Sequence, residues 1–320
     1  MKTPLPSRLS QGIYWNCGKS AFLPDDFNSS LHGEGWGREF ASLKAVGLDT
    51  IILFNADLLT QIPMLEEIFE NAEKLGMKII LECGNRKAGK NIPLGQGPFE
   101  QTVKTLWNNF GKSPAFSGWY LFAEFNLDPT PEKYNDYFRG WSEYCKSYKA
   151  DLPVMISPFY APALHPPIMD YGDNGPEIYE RYWDTLLQGT HIDILSLQDN
   201  GGQHFSFFTD TVNEPYIATF AKVCRNHGVR FFGNVEMGEM HISGIQEFMD
   251  RFTLEHGVND AICRPCWRGV PPERIKQKFA LMNKYSEANF SWGFREFYRE
   301  SLNPTLYNAY RQLFQQITEP

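Results

Sequence analysis

Residues 116–134, "FSGWYLFAEFNLDPTPEKY", combine a buried strand with the start of a helix. The first seven residues form an apolar and aromatic run of the kind that buried strands contain. The run leads to Glu124, and Thr130 and Pro131 then supply a helix N-cap and a first helical position. The stretch therefore predicts a strand–helix unit with a carboxylate at the carboxyl end of its strand.

Seven further units of this kind occur along the 320 residues, which makes eight in all. The predicted strands cover residues 12–18, 49–57, 77–84, 116–124, 152–160, 191–202, 229–239 and 288–297. Eight strand–helix units predict an α/β fold of the (β/α)8, or TIM barrel, type. A doubly wound sheet is the alternative, which the lack of a G-x-G-x-x-G motif after the first strand disfavours. No linker rich in Pro, Gly or Ser divides the chain, so residues 1–320 are predicted to form one domain.

A long insertion follows the seventh strand, because the helix of that unit is predicted to begin only at Pro272. Residues 237–270 then form a loop on the catalytic face of the barrel, where long loops are usually functional. Its side chains predicted to shape substrate access are Met240, His241, Arg264, Trp267 and Arg268. Cys263 and Cys266 have the C-x-x-C spacing of a zinc site but lack a second pair, so we expect no metal there.

Composition and charge limit the classes of partner that this protein can bind. The 42% apolar and 15% aromatic content indicates a well-buried core, and the net charge of −8 without a dense basic run disfavours nucleic acid. No apolar run is long enough to cross a membrane, and the first residues lack the apolar core of a signal peptide. The six scattered cysteines are typical of buried thiols. We expect a cytoplasmic protein, with secretion after removal of a leader as the alternative, and the oligomeric state is left open.

Polar and aromatic residues stand toward the carboxyl ends of the predicted strands. They are Asn16, Asn55, Asp57, Glu82, Glu124, Asn126, Ser157, Tyr160, Gln198, Asp199, Asn200, Asn234, Glu236, Trp292 and Arg295. Catalytic groups of a (β/α)8 barrel come from the carboxyl ends of its strands. Such a set can hydrogen-bond a polyhydroxylated ligand, and flat aromatic faces such as Trp15, Trp119, Tyr160 and Trp292 can stack on sugar rings.

Glu124 and Glu236 follow strands four and seven, which lie roughly opposite each other across the barrel mouth. Hydrolysis of a glycosidic bond requires a proton donor and a second carboxylate on the two sides of the bond. The pair is therefore predicted to be catalytic, without a cofactor or a metal ion. The predicted substrate-binding residues are Trp15, Asn16, Glu82, Asn126, Tyr160, Gln198, Asp199, Asn234, Trp292 and Arg295.

Other carboxylates compete with this pair. Glu239 shares the loop of Glu236, Asp199 is expected to face the mouth beside Gln198, and Glu82 is either a supporting group or part of a structural ion pair. Two other functions remain open. A non-catalytic barrel could bind a saccharide without turnover, and a metal-dependent barrel hydrolase or isomerase would need the dispersed histidines to meet in space.

The motifs "GWYLFAEFN" (118–126), "VMISPFY" (154–160), "DILSLQDNGG" (193–202) and "NVEMGE" (234–239) carry a resemblance. The chain resembles the clan A (β/α)8 glycoside hydrolases, and more narrowly an uncharacterised bacterial family of barrels of this type. The resemblance implies a retaining glycosidase with Glu124 as acid/base and Glu236 as nucleophile. Clan A members usually have Asn before the acid/base, whereas this chain has Ala123. Either Asn126, Gln198 or Asn234 takes that role, or the likeness is architectural only.

Overall fold

The computed structural model describes residues 5–18, 20, 22–54, 58–83, 86–87, 90–91, 99–122, 131–160, 175–199, 210–241 and 267–318. Within these residues, eight parallel strands close into a barrel, which confirms the predicted (β/α)8 fold. The strands are β1 (Gly12–Asn16), β2 (Thr50–Phe54), β3 (Lys78–Glu82), β4 (Phe116–Leu121), β5 (Val154–Ile156), β6 (Ile194–Gln198), β7 (Arg230–Asn234) and β8 (Ala288–Ser291). They follow one another around the barrel, and pairing of β8 with β1 closes it.

Helices follow the strands on the outside of the barrel. They are α1 (Glu34–Lys44), α2 (Ile62–Leu75), α3 (Phe99–Phe110), α4 (Pro131–Tyr148), α5 (Pro176–Leu187), α6 (Asp210–His227), α7 (Pro272–Met282) and α8 (Pro304–Thr318). Helices α4 and α7 begin on the predicted Pro131 and Pro272, and α5 and α8 also begin on proline, whose fixed φ suits the first helical turn. Short 3-10 turns at Ser29–Leu31 and Leu58–Gln61 precede α1 and α2. None of these helices combines the length and apolar character needed to span a membrane.

Strand alternation divides the buried side chains into two cores. The inner core fills the barrel with Tyr14, Ile52, Phe54, Ile80, Tyr120, Met155, Ile194, Phe232 and Phe290. The outer core lies between strands and helices and takes the intervening positions, such as Ile13, Leu53 and Leu81. Parity along each strand therefore determines whether a residue faces the barrel interior or the helices.

Several strands end earlier than predicted. The eighth was expected to reach residue 297, but β8 ends at Ser291 because Gly293 adopts the left-handed conformation with φ of 83°. A π-helical turn, Phe294–Tyr298, follows instead. The sixth was expected to reach residue 202, and β6 ends at Gln198.

The predicted insertion begins and ends in a two-stranded antiparallel hairpin. Gly238–Met240 pairs with Trp267–Gly269, and Gly238 lies opposite Gly269. A second small hairpin joins Arg86–Lys87 to Lys90–Asn91. Arg264, Cys263 and Cys266 lie outside the described residues.

Candidate functional site

Four strands end on a polar residue that alternation directs into the barrel. They are Asn16 on β1, Glu82 on β3, Gln198 on β6 and Asn234 on β7. Asn16, Glu82 and Asn234 stand two positions beyond the inner-core residues Tyr14, Ile80 and Phe232, and Gln198 stands four positions beyond Ile194. The carboxyl mouth of the barrel is therefore lined with amide and carboxyl groups above an apolar floor.

Asn234 joins three strands at the mouth. Its Nδ2 donates to Ser157 Oγ at 3.2 Å, and its Oδ1 accepts the backbone N–H of Trp292 at 3.0 Å. Ser157 in turn donates to the carbonyl of Ser196 at 2.8 Å, and Gln198 donates to the Ser157 carbonyl at 3.1 Å. Ser157 was noted at the end of its strand but not predicted to be a site residue. Its position beyond the short β5 is the signal that could have identified it.

Glu236 lies two residues beyond the end of β7 and remains extended. The N–H groups of Val235 and Met237 bond to carbonyls of Phe290 and Trp292 on the β8 side, as in a continued strand. Val235 and Met237 both belong to the outer core. Alternation therefore places the Glu236 side chain on the inner face with Asn234, and the residue is only 6% exposed.

Asp199 lies on the other face of β6, so the prediction that it faces the mouth beside Gln198 is wrong. Successive side chains of a strand point to opposite sides, and Gln198 already takes the inner one. The Asp199 carboxylate instead reaches the Lys278 ammonium of α7 at 3.3 Å. Its Oδ1 also accepts the backbone N–H of Glu236 at 3.4 Å.

Tyr160 is fully buried, so it cannot offer a ring face to a sugar as predicted. It stacks on Tyr216 of α6 with ring centroids 4.9 Å apart, and its hydroxyl donates to the Asp199 carbonyl at 3.3 Å. Burial raises the pKa of the Tyr160 phenol well above its usual range, and the nearby carboxylates of Asp199 and Glu236 raise that pKa further. The phenol therefore stays protonated as a hydrogen-bond donor.

Trp15 belongs to the outer core and Arg295 is buried against its ring, so neither side chain is exposed to bind a substrate as predicted. The Trp15 indole has no exposed surface and donates to Asn28 at 3.1 Å. Arg295 is 1% exposed, pairs with Glu296 at 2.7 Å and donates to the Asn16 carbonyl. Its guanidinium also lies 5.3 Å from the Trp15 ring centroid. Arg295 was predicted to lie on the eighth strand, but β8 ends early and Arg295 lies in the π-helical turn instead.

Four partly exposed aromatic rings form a cluster beside the mouth. The aromatic cluster consists of Phe22 from the β1–α1 loop, Trp267 from the hairpin, and Trp292 and Phe297 after β8. Trp267 lies parallel to Phe297 at 6.1 Å and meets Trp292 edge-on at 5.7 Å. Trp292 also packs against the inner core, so the cluster borders the polar mouth.

Two glycines seat the hairpin against this cluster. A Cβ on Gly238 would lie 2.2 Å from the Phe297 ring, and a Cβ on Gly269 would lie 2.3 Å from Leu306. Phe22 and Phe297 were not among the predicted site residues. Trp267, which was predicted to shape substrate access, lies in the aromatic cluster.

Glu239 is part of a structural ion triad. It is 2% exposed, and its oxygens accept hydrogen bonds from Arg268 at 2.9 Å and from Arg274 at 2.8 Å. Arg268 lies on the hairpin and Arg274 on α7, so the triad ties the insertion to that helix. Each carboxylate oxygen of Glu239 therefore accepts a hydrogen bond from an arginine.

Glu82 is 3% exposed at the carboxyl end of β3. Burial is the main cause that raises the pKa of the Cys17 and Cys83 thiols, the contact with Cys145 raises that of Cys83 further, and the negative charge of Glu82 adds a smaller contribution to both. Asn16 accepts the N–H of Gly18 through its side chain at 2.8 Å. Glu124, Asn126, Asn55 and Asp57 lie outside the described residues. Among the described residues, no three His, Cys, Asp or Glu side chains are grouped so that they could hold a metal ion.

Solved structures share this architecture. A protein from Bacteroides thetaiotaomicron described as a "putative alpha-L-fucosidase" matches with a TM-score of 0.71 and 18% identity, over 98% of this chain and 94% of that one. The endo-beta-1,4-mannanase of Thermotoga petrophila gives a TM-score of 0.59 and 12% identity, over 96% and 76%. A broad-specificity GH5-4 endoglucanase from an uncultured bacterium gives 0.50 and 12%, over 97% and 94%. At these identities the likeness establishes the fold that this chain shares with glycoside hydrolase barrels.

The sequence itself points to one family. No curated protein matches it with significance. The family model DUF4434, a domain of unknown function, matches residues 11–263, which include strands β1 to β7 and Glu236. The chain therefore belongs to the DUF4434 family.

Proposed function

We propose that this protein is a glycoside hydrolase that uses Glu236 and Glu124 as its catalytic carboxylates. The observation that carries the proposal is the position of Glu236, a buried carboxylate on the inner face just beyond β7, next to the polar end of that strand. Amide groups of Gln198 and Asn234 lie at the same mouth and suit the hydroxyl groups of a sugar.

Glu124 enters the proposal from the sequence. It follows the apolar run of residues 116–122, which includes strand β4. Strands β4 and β7 are separated by β5 and β6 on one side of the closed barrel, so residues following both can approach one ligand. Two carboxylates on opposite sides of a glycosidic bond are what its hydrolysis requires.

The chemistry proposed for the pair is that of a retaining enzyme. Glu124 donates a proton to the leaving oxygen while Glu236 attacks the anomeric carbon and forms a glycosyl-enzyme ester. Glu124 then takes a proton from water, which attacks the anomeric carbon and releases Glu236. The aromatic cluster supplies faces for sugar rings outside the reacting position.

The likeness to fucosidase-like, mannanase and endoglucanase barrels supports the choice of probes, although it establishes the fold alone. We would test 4-nitrophenyl α-L-fucoside, β-D-mannoside and β-D-glucoside, together with β-1,4-mannan and β-1,4-glucan oligosaccharides. The wild-type chain is expected to release nitrophenol or shortened oligosaccharide from at least one of them.

The decisive variants are Glu236→Gln and Glu124→Gln, each checked for folding by circular dichroism. Loss of either carboxylate is expected to lower kcat by roughly three orders of magnitude or more, since both act on the reacting bond. Glu287→Gln is the control, because Glu287 pairs with Arg230 at the opposite end of the barrel and is exposed. Near wild-type turnover by folded Glu236→Gln would overturn the assignment.

Two further measurements identify the mechanism. Azide is expected to restore turnover to Glu236→Ala and to give a glycosyl azide, because a small anion can replace the missing nucleophile. A carboxylate separation of about 5 Å in a crystal structure would support retention, and one of about 6.5–9.5 Å would indicate inversion. Saccharide binding by calorimetry without turnover of any probe would instead support a non-catalytic barrel.

A further inference from the structure

A buried ion pair outside the barrel holds the main chain of Glu236 from both sides. Asp199 Oδ1 accepts the backbone N–H of Glu236 at 3.4 Å, and the Lys278 ammonium donates to the backbone carbonyl of the same residue. The two charged groups lie 3.3 Å apart, with side chains 7% and 8% exposed. The Asp199–Lys278 pair therefore binds both the backbone N–H and the backbone carbonyl of Glu236.

We infer that Asp199 and Lys278 are positioning residues that fix the backbone, and through it the carboxylate, of Glu236. The catalytic consequence rests on the function proposed above, whereas the structural clamp does not. Asp199 and Lys278 touch the main chain from the helix side, so neither takes part in bond breaking.

The packing of α7 explains how the lysine reaches this position. Gly233 on β7 has no side chain, and a Cβ there would lie 2.3 Å from Cγ of Met282. Helix α7 can therefore approach β7 closely at Met282, and Lys278 lies one turn earlier on the same helix face. That turn is level with the carboxyl end of β7, where the chain continues to Glu236.

Stability alone is a weak reason for such a pair. Two buried charges lose hydration, and apolar residues of the same volume are often as stabilising. The pair borders a cavity of about 20 Å³ between α6 and α7, lined by Asn213 and Gln277 among others, which has room for about one water molecule. Apolar residues cannot replace the hydrogen bonds that the pair makes to the backbone N–H and the backbone carbonyl of Glu236.

The active-site geometry makes this directed hold useful. Glu236 lies beyond the last ladder residue of β7; its neighbours Val235 and Met237 bond to the β8 side, whereas its own N–H and carbonyl bond to Asp199 and Lys278. A displacement of the order of 1 Å in a reacting group can cost about a hundredfold in rate. A clamp on the Glu236 peptide would keep its carboxylate in reach of the anomeric carbon without touching the substrate.

The experiment compares Lys278→Met with Lys276→Met in the full chain. Lys276 lies on the same helix but pairs with exposed Glu273, so it is the matched control. Residue-resolved hydrogen exchange at the Glu236 amide is the first readout, since it needs no substrate. We expect exchange there to rise about tenfold or more in Lys278→Met, with the amides of α7 and the rest of β7 unchanged, and no change in the control.

Turnover is the second readout, on whichever probe the wild-type chain hydrolyses. Lys278→Met is expected to lower kcat about 10- to 100-fold with KM within about threefold, since substrate contacts stay in place. A folded variant with unchanged exchange at Glu236, or with exchange raised equally throughout α7 and β7, would overturn the clamp. Faster local exchange in a chain that hydrolyses none of the probes would support the clamp while the proposed function fails.

A second variant protects the test against misfolding. Lys278→Met removes the ammonium that lies 3.3 Å from the buried Asp199 carboxylate, which can destabilise the fold severely. The double variant Asp199→Asn, Lys278→Met removes both charges, keeps an acceptor oxygen for the Glu236 N–H, and removes the donor to its carbonyl. It is expected to fold and to show the same local rise in exchange, and wild-type exchange and kcat in this variant would overturn the inference.

Discussion

The side-chain oxygen of Asn234 accepts the backbone N–H of Trp292 at 3.0 Å. This hydrogen bond joins the ends of β7 and β8 at the point where the inner face changes from apolar to polar. The amide nitrogen of Asn234 simultaneously donates to Ser157, which lies just beyond β5. One buried amide therefore links three segments of the mouth.

We expect Asn234→Ala to lower the free energy of unfolding by about 2 kcal/mol, because it leaves a buried N–H and a buried hydroxyl without this partner. Urea unfolding monitored by Trp fluorescence measures the change. Asn109→Ala is the control, since Asn109 lies exposed on α3 and should change stability by no more than about 0.5 kcal/mol. Equal stability of both variants would show that the amide bridge contributes nothing.

A pair of glycine substitutions tests the seating of the hairpin. Gly238→Ala places a methyl group 2.2 Å from the Phe297 ring, so the ring or the hairpin must move, and the stacked Trp267 with it. We expect a loss of at least about 1 kcal/mol and a changed near-UV circular dichroism signal. Gly140→Ala meets no atom within 4 Å in the middle of α4 and should stabilise by about 0.5–1 kcal/mol. An unchanged aromatic signal in Gly238→Ala would contradict the packing described.

The ion triad of Glu239 predicts a large structural effect. Glu239→Gln removes the buried charge that pairs with the partly exposed Arg268 and Arg274, and losing such charge-assisted hydrogen bonds typically costs about 1.5–3 kcal/mol. Thermal unfolding would show a marked fall in Tm. Glu34→Gln, which removes only the exposed pair with Arg38, should cost about 0–1 kcal/mol. If Glu239→Gln kept full stability but lost turnover, Glu239 rather than Glu236 would be the better candidate nucleophile.

Thiol reactivity provides a prediction about pH. Burial raises the pKa of Cys17 to about 12, and it also raises the pKa values of Cys83 and Cys224. At pH 8 the Cys17 thiolate fraction is then about 10⁻⁴, so a disulfide reagent should not label it in the native chain. Raising the pH from 7 to 9 should leave native labelling slow, since both values lie far below the raised pKa.

The measurement uses a Cys263→Ser, Cys266→Ser variant, so that only the four described thiols are counted. Guanidinium should release all of them to rapid labelling, with the pH dependence of an ordinary thiol. Fast labelling of Cys17 at pH 8 without denaturant would contradict its burial.

The repeating pattern of strands and helices predicts the barrel because every unit buries one face of a helix and both faces of a strand. Side-chain direction at strand ends was harder to predict. Asp199 follows Gln198 immediately, and sequence alone did not show which of the two faces the barrel axis. Arg295 was assigned to a strand that Gly293 ends early. Lys278 had no signal, because lysine on a helix is normally exposed.

Only two of the four residues of the aromatic cluster could be singled out from the sequence. Trp292 and Trp267 are distinctive in sequence, whereas Phe22 lies in a loop without periodicity. The contacts between them depend on the long-range pairing of the hairpin, which brings residues 238–240 beside 267–269. Such pairing over a long separation cannot be read from local propensity.

The hairpin has a consequence for how this family could diversify. Because Gly238 and Gly269 stand opposite each other, the chain leaves the barrel and returns to it at one place. The cost of closing a flexible loop grows slowly, by about 0.6 kcal/mol for each doubling of its length. The segment between the two hairpin strands could thus be lengthened, shortened or exchanged over evolution while β7, β8 and the groups at their ends keep their register. Exchange of that segment at these two glycines is therefore expected to leave the barrel intact.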